Sequence, residues 1–532
     1  MKLTKVIRQT TLDSVEGATA YDAIIVGSGA AGGLAAAHLT REGLSVLVLD
    51  AGLTPPVWQR PKSRGVNAAV RLMSRPKALQ VLPSGVVWRA QTFLRAMGRD
   101  RQPVQSSCYA WPGLPNGFVD DVDNPYETPE DKPFNWIRAH HLGGRMVVPG
   151  HGKQYLRRSL AGFAAKSEAN PGWPIDAEAL APWYETVERQ LGLYGQNNGV
   201  EWVPDSHITH PLEPDPAQTH MMETIRQEWT GAKPVLGRYA DPMDNMGQAA
   251  ETGKLACRIG AVASRVCVSP DGRADGVEFY DRRAERTVRA KAPIVFLCAS
   301  SFETTRLLLN SRRGAFLVHS GSEGGPLGRY IMDHVSVKAE GMMPDRGIAD
   351  KDFNLGNCVY MPRFDLRAGA PEGDHSGYGM RIYQVPGPGQ QSYFTAVSDA
   401  EMLPRAENRL TLSNRRDRWG IPTLRISCAH SEREKTVIKG QVSAVEAVAD
   451  VLKVKLNDAK IGASVPGSAI HEVGGARMGD DPETSVVDPN NQSWDAKGLY
   501  VTDGAVFPSI GLQNPTLTIM ALTARACAHA VA

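Results

Sequence analysis

Short apolar runs, each closed by a glycine or a small residue and then followed by helical composition, recur along this chain. Ala23–Val26 (AIIV) is β-branched and bounded by Gly27, the pattern of a strand buried on both faces. Leu34–Leu39 continue with helical composition, and Ser45–Leu49 form a second apolar run that ends in Asp50. A third run, Ala292–Cys298, leads through Ala299, Ser300 and Ser301 into a helical stretch beginning at Thr304–Leu309. Gly498–Asp503 (GLYVTD) is the last. Strands that alternate with helices predict a parallel sheet, so the fold class is α/β with a Rossmann-like core, α+β overall.

The middle of the chain alternates differently. Arg258–Val268 and Ala274–Tyr280 predict hairpin strands around Pro270-Asp271-Gly272. Residues 337–465 carry strand-like alternation, as in Asn408–Leu412 and Thr423–Ser427, which predicts a second, substrate-facing layer. The helical stretch Glu432–Lys455 is expected to cover it. Residues 98–136 are rich in proline, acid and aromatic side chains, including Trp111, Pro112, Tyr126 and Trp136. So long a segment predicts a lid or docking loop, or else a surface excursion packed by its own tryptophans.

Candidate chemistry sits at the two ends. Gly27, Gly29 and Gly32 complete a G-x-G-x-x-G, and each glycine has a task. The first permits a tight turn, the second lets backbone approach a pyrophosphate, and the third lets helix pack on strand. Ala30 and Ala31 open the helix whose N-terminus would face the phosphates. Asp50, 23 positions beyond Gly27, is placed for a ribose. This unit predicts nucleotide binding, without separating NAD from FAD. Gly143 and Gly144 suit close backbone approach to a cofactor. His140, His141 and His151 lie nearby, but no second ligand cluster accompanies them, so no metal is expected. Near the C-terminus, Asp503 could bind a ribityl hydroxyl, lie near the pyrophosphate, or cap the next turn. Asn514 is a good N-cap and Pro515 suits the first turn of a helix over residues 514–529, with Leu517, Met520, Ala521 and Ala524 as its packed face.

Composition narrows this further. With 532 residues the chain suits two domains or one large interleaved one, and a net charge of +2 implies no nucleic-acid partner. Seven cysteines without CxxC spacing argue for buried thiols in a reducing compartment. The N-terminus lacks a signal-peptide apolar run and no stretch is apolar enough to span a membrane. Cytoplasmic residence is therefore expected, with export alongside a signal-bearing partner as the alternative.

Taken together, these segments resemble the glucose–methanol–choline (GMC) oxidoreductases from Tyr21 to the C-terminus. The anchors are Gly27-Ser28-Gly29 with Gly32, Cys298–Ser311, Leu327–His334 (LGRYIMDH) and His471 through Thr518. Gly172-Trp173-Pro174-Ile175 and Trp183-Tyr184 are similar to the bacterial branch that oxidises sugars, polyols and glycosides. The resemblance implies FAD and a catalytic pair, His471 and Asn514. In that scheme His471 abstracts the hydroxyl proton and hydride passes to flavin N5. Cofactor contacts would come from Gly27, Gly29, Ala30, Ala31, Gly32, Asp50, Ala51, Gly143, Gly144, Arg145, Met146, Val262, Ala299, Asp503, Gly504, Asn514, Pro515 and Thr516. The helix N-terminus at Pro515 would stabilise negative charge at flavin N1 and O2.

The same resemblance implies a discontinuous FAD-binding domain (1–160, 235–335, 466–532) and a substrate domain (161–234, 336–465) on an antiparallel sheet. Two departures matter. Val148 stands where covalent-flavin relatives carry histidine, which implies noncovalent FAD. Residues 231–256 hold no cysteine, so the iron–sulfur cluster of some relatives is not expected. Electrons would then leave for oxygen, a quinone-like acceptor or a separate carrier. The expected reaction is oxidation of a CH–OH group of a sugar or glycoside, preferably a secondary ring hydroxyl such as C3. A non-sugar alcohol or polyol is the alternative substrate, and a catalytically silent electron-relay flavoprotein the remote one. A homo-oligomer or a small partner subunit is compatible with all three.

Overall fold

The expected apolar runs assemble into one parallel sheet. In the computed structural model, residues 10, 15, 21–53, 84–96, 100–148, 154–166, 172–241, 243–311, 324–348, 358–367, 377–457 and 461–532 are described. His151 and Pro149 lie outside them, as do most of the first twenty residues. The sheet runs Leu499–Val501, Ile294–Leu297, Ala23–Val26, Val46–Asp50, Leu255–Ile259, with every neighbouring pair parallel. Ala23–Val26 is flanked on one side by the next strand in sequence and on the other by Ile294–Leu297. The strand order therefore reverses at its carboxyl end, where ligands of such sheets bind.

Local sterics explain why this arrangement needs its glycines. A Cβ on Gly32 would stand 2.0 Å from the Gly27 carbonyl oxygen, so the helix Ala30–Arg41 reaches its strand only without one. The opposite face of that helix packs on the C-terminal helix Thr516–Val531.

One predicted hairpin strand is in fact two. The run Arg258–Val268 breaks at Gly260, where φ is +75°. Leu255–Ile259 joins the parallel sheet, while Ala261–Val268 begins a three-stranded antiparallel sheet with Ala274–Asp281 and Arg286–Ala290.

A six-stranded antiparallel sheet forms the second layer. Its order is Lys455–Leu456, Val335–Pro344, Gln391–Ala400, Tyr378–Pro386, Cys358–Met361, Val235–Leu236. Val235–Leu236 thus belongs here, although the sequence division put residue 235 in the cofactor layer. The helix Glu432–Val451 packs on the Val335–Pro344 and Gln391–Ala400 strands, the cover expected of it. It ends four residues short of the expected Lys455, which pairs instead with Met342.

A second correction concerns Arg409–Arg416 and Pro422–Ser427. They form a two-stranded sheet of their own, bridged to Arg329 and Glu127, and lean on the helix Ser301–Ser311, whose Arg306 donates to the Pro422 carbonyl at 2.7 Å. Alternation alone identified strands but not which sheet they join. Trp111 and Trp136, from the 98–136 segment, are both buried, and the Arg138 guanidinium lies 4.1 Å from the Trp136 ring centroid. All seven cysteines are free thiols and all are buried.

Candidate active site

The carboxyl ends of three parallel strands bring the predicted cofactor residues together. Gly27 follows Ala23–Val26, Ala299 follows Ile294–Leu297, and Asp503 with Gly504 follow Leu499–Val501. Gly27 has φ +94°, and a Cβ there would lie 2.4 Å from the Cys298 carbonyl oxygen. A Cβ on Gly29 would find nothing nearer than the Gly144 Cα, 4.0 Å away. Gly29 and Gly144 therefore bound an open cradle.

Asp50 ties this cradle down. One of its oxygens accepts from the Ser28 amide (3.1 Å) and hydroxyl, and the other from the Gly52 amide (2.7 Å). The Ser28 hydroxyl accepts in turn from the Gly143 amide at 2.8 Å. Burial raises the Asp50 pKa, and these donors oppose the rise. Beside it, the Ala51 carbonyl accepts from Arg282 at 2.9 Å. Val262 is buried at the start of the three-stranded sheet.

Arg145 pairs with the buried Glu472 at 2.9 Å and donates to Ser300 Oγ at 3.1 Å. Met146 is half-buried against the main core. Val148 is 1% exposed, in an apolar cluster with Cys108, Ala110, Trp111, Phe118 and Ile137. Asp503 accepts from Thr304 Oγ1 (2.5 Å) and from the Ala505 amide (3.0 Å), and burial pushes its pKa up to about 6. Of the roles open to it from sequence, the capping of its own turn is thus occupied.

Helix capping differs between the site and several other described α-helices. Asp176, Asp215, Asp244 and Ser431 each cap a helix through the side chain. The helices Ala30–Arg41 and Thr516–Val531 have no side-chain cap and no acidic residue in the first turn. Their N-terminal amides, at Ala30 and Ala31 and near Thr516, are left for an outside acceptor. Asn514 does not cap its helix, contrary to the sequence reading: Pro515 takes the N-cap position and the Asn514 amide turns away from it.

That amide meets His471. Asn514 Nδ2 and His471 Nε2 are 3.1 Å apart. The loop carrying His471 is pinned by the buried carboxylate of Asp333, which accepts from the amides of Gly467 (2.8 Å), Ala469 (3.2 Å) and His471 (3.0 Å). Burial pushes the Asp333 pKa up to about 7. Ile470 has φ +64°, strain for a β-branched residue, immediately before His471.

Several neighbours were not assigned roles from sequence. His334, next to Asp333, places its Nδ1 2.9 Å from His471 Nδ1 and its Nε2 3.0 Å from the Gly511 carbonyl. Arg381, on the second sheet, donates to Asn514 Oδ1 (3.0 Å) and to Gln154 Oε1 (3.3 Å), and pairs with Asp399. His334 stood in the LGRYIMDH segment, where a buried Asp-His pair was the available signal. For Arg381 the signal was a lone cation within the otherwise uncharged strand YGMRIYQVP.

Tyr109 is 53% exposed, yet burial raises its hydroxyl pKa and Arg381 and Tyr383 act on it electrostatically. A ring can meet both conditions if it lines an enclosed cleft. Trp173 Nε1 donates to Ser509 Oγ at 3.0 Å, and the Tyr184 and Thr518 hydroxyls are 2.7 Å apart, so the 172–184 segment braces the C-terminal loop.

A parallel nucleotide sheet, a glycine cradle and a histidine–asparagine pair in the C-terminal loops, met by Arg381 of an antiparallel sheet, define a two-layer, Rossmann-type oxidoreductase. Residues 25–59 match the NAD(P)-binding Rossmann-like domain family, and residues 404–523 match the GMC oxidoreductase family. The chain thus carries the GMC oxidoreductase family domain in its C-terminal part, and GMC oxidoreductases are similar to it at low identity. It is 25% identical, over 75% of its length and 82% of the relative's, to 2-methyl-1,2-propanediol dehydrogenase of Mycolicibacterium austroafricanum. It is 26% identical to a C-glycoside 3-oxidase of Arthrobacter globiformis, over 59% of either chain. The crystal structure of a pyridoxine 4-oxidase from Mesorbium loti shares its fold, with a TM-score of 0.61 at 17% identity over 96% of this chain and 98% of that one.

Proposed function

We propose that this protein is an FAD-dependent enzyme that oxidises a CH–OH group of a sugar or glycoside to a ketone, preferably a secondary ring hydroxyl such as C3. The observation that carries the reading is the 3.1 Å contact between His471 Nε2 and Asn514 Nδ2, facing the second sheet beside an uncapped helix N-terminus. The residues fit the cofactor. Gly29 and Gly144 leave a cradle for a pyrophosphate, and the Ala30–Arg41 helix offers it free amides. The N-terminus at Pro515 and Thr516 would face the negative end of the ring system. Bound FAD would supply the acceptor for the hydrogen and electron pair that leave the substrate carbon.

The chain's own groups do the rest. His471 takes the hydroxyl proton at Nε2, and the Asn514 amide orients the same oxygen. Arg381, Gln154 and Tyr109 line the approach and hold the remaining hydroxyls of a polyhydroxylated substrate. Likeness to a C-glycoside 3-oxidase supports the sugar version. Likeness to a diol dehydrogenase supports the alternative, a non-sugar polyol. Val148 offers no nucleophile, which supports noncovalent FAD. The test is anaerobic bleaching of the flavin against free sugars, glycosides and simple alcohols, followed by air. Bleaching by glycosides is expected. Bleaching by simple alcohols alone would move the assignment to the alternative, and none at all would sink the reading. Reoxidation by air distinguishes oxygen from a quinone or carrier as acceptor.

A further inference from the structure

We infer that His334 and Arg381 are positioning residues that hold the proton of His471 on Nδ1 and keep Nε2 unprotonated as the base; the inference rests on the reading of His471 as that base. The two residues act from opposite ends of one hydrogen-bonded row. The row runs Gly511 carbonyl, His334, His471, Asn514, Arg381, Asp399.

From the first end, the Gly511 carbonyl can only accept, so His334 Nε2, 3.0 Å away, carries a hydrogen. His334 is 2% exposed, and burial, with Arg381 and Arg158 nearby, pushes its pKa down to about 3. The ring is therefore neutral and its Nδ1 bears a lone pair. The two Nδ1 atoms stand 2.9 Å apart with the rings edge to face at 88°. One hydrogen must lie between them, and only His471 can supply it.

The second end gives the same answer independently. Arg381 is a donor without acceptors, so the Asn514 atom 3.0 Å from it is the carbonyl oxygen. The amide nitrogen then faces His471 Nε2 at 3.1 Å and donates to it. A proton on His471 Nε2 would set donor against donor at Asn514 and lone pair against lone pair at His334. Both contacts would be repulsive. The other charged groups around the loop, Asp333, Glu472 and Arg145, engage its backbone or one another: Asp333 takes the His471 amide, and Glu472 takes Arg145.

The experiment is long-range 1H–15N correlation on histidine-labelled holoenzyme, with His334 and His471 resonances assigned by substitution. Wild type is expected to show His471 protonated at Nδ1 and His334 at Nε2. His334→Gln keeps an acceptor toward His471 and a donor toward Gly511; it should preserve the His471 tautomer and reduce flavin within about 10-fold of wild type. His334→Leu keeps bulk but offers no acceptor. It should mix the His471 tautomers and slow the limiting reduction rate by about 10²-fold or more, with little change in the substrate concentration for half-saturation. Arg381→Met should have a similar effect through a freed Asn514 amide, and Arg381→Lys should restore part of the rate.

A wild-type His471 protonated at Nε2 overturns the inference, as does His334→Leu with an unchanged tautomer and rate. If the leucine variant fails to retain FAD, the wild-type tautomer and the glutamine variant still decide. Should no alcohol bleach the wild-type flavin, the functional reading fails while the tautomer measurement stands by itself.

Discussion

Ile470 shows how much local cost surrounds the histidine it precedes. A β-branched residue at φ +64° persists only where neighbours over-determine it, and three amides held by Asp333 do so here. Removing the imidazole should therefore spare the loop and strike the chemistry. His471→Ala is expected to slow anaerobic flavin reduction by roughly 10²–10⁴-fold, read by stopped flow; an unchanged rate would remove His471 from the reaction. His334 also carries a pH signature. Its pKa is about 3 when folded, against 6.5 for an ordinary histidine. As pH falls below 6.5 the unfolded chain takes up a proton that the folded chain refuses, so stability is lost toward acid. Asp333, raised to about 7, works in the opposite sense in any variant that keeps it. The urea midpoint of wild type should thus drop more than that of His334→Gln between about pH 7.5 and about pH 5. Equal drops would contradict the buried neutral ring. Sequence made His471 and Asn514 visible because both stand in long ordered motifs. The N-capping that Asn514 also offered, beside its catalytic role, is not made, since capping propensity says nothing of a better partner across the cleft. Arg381 left only one unexplained charge in a strand.

At the level of elements, two glycines three positions apart at the start of one helix do different work. A Cβ on Gly29 enters open space, whereas one on Gly32 strikes the Gly27 carbonyl. Gly29→Val is expected to lose FAD while the apoprotein melts near its wild-type temperature. Gly32→Ala should lower apoprotein stability by about 1–3 kcal/mol, the usual scale of core overpacking. Melting curves of both apoproteins, with flavin absorbance after desalting, test the pair; full FAD occupancy in Gly29→Val would refute the cradle. The parallel strands were legible because strands buried on both faces leave uninterrupted apolar runs. The Arg409–Ser427 hairpin was legible as strands but not in its docking, because period-two alternation marks a buried face without naming what buries it. The break at Gly260 was hidden for a related reason. Both strands it separates are apolar, and only a left-handed backbone turn divides them.

For the molecule as a whole, two sheets face one another across the histidine–asparagine pair. The parallel sheet brings the proposed cofactor residues to three strand ends, and the antiparallel sheet supplies Arg381 and Asp399. Val148 is sealed in its apolar cluster and has no group that could form a bond to flavin. Acid precipitation of the purified protein should therefore leave the yellow colour in the supernatant; colour in the pellet would refute noncovalent FAD.

The seven cysteines carry a consequence of their own. Each is buried and for each burial raises the thiol pKa, to about 11 for Cys108 and Cys358 and to about 12 for Cys257. Thiolate is thus suppressed in the native state, and alkylating reagents find nothing to attack. The chain holds a silent clock: Cys257, Cys298 and Cys527 line the cofactor layer while Cys358 sits in the other, so the order in which labels arrive would report which half of the enzyme opens first.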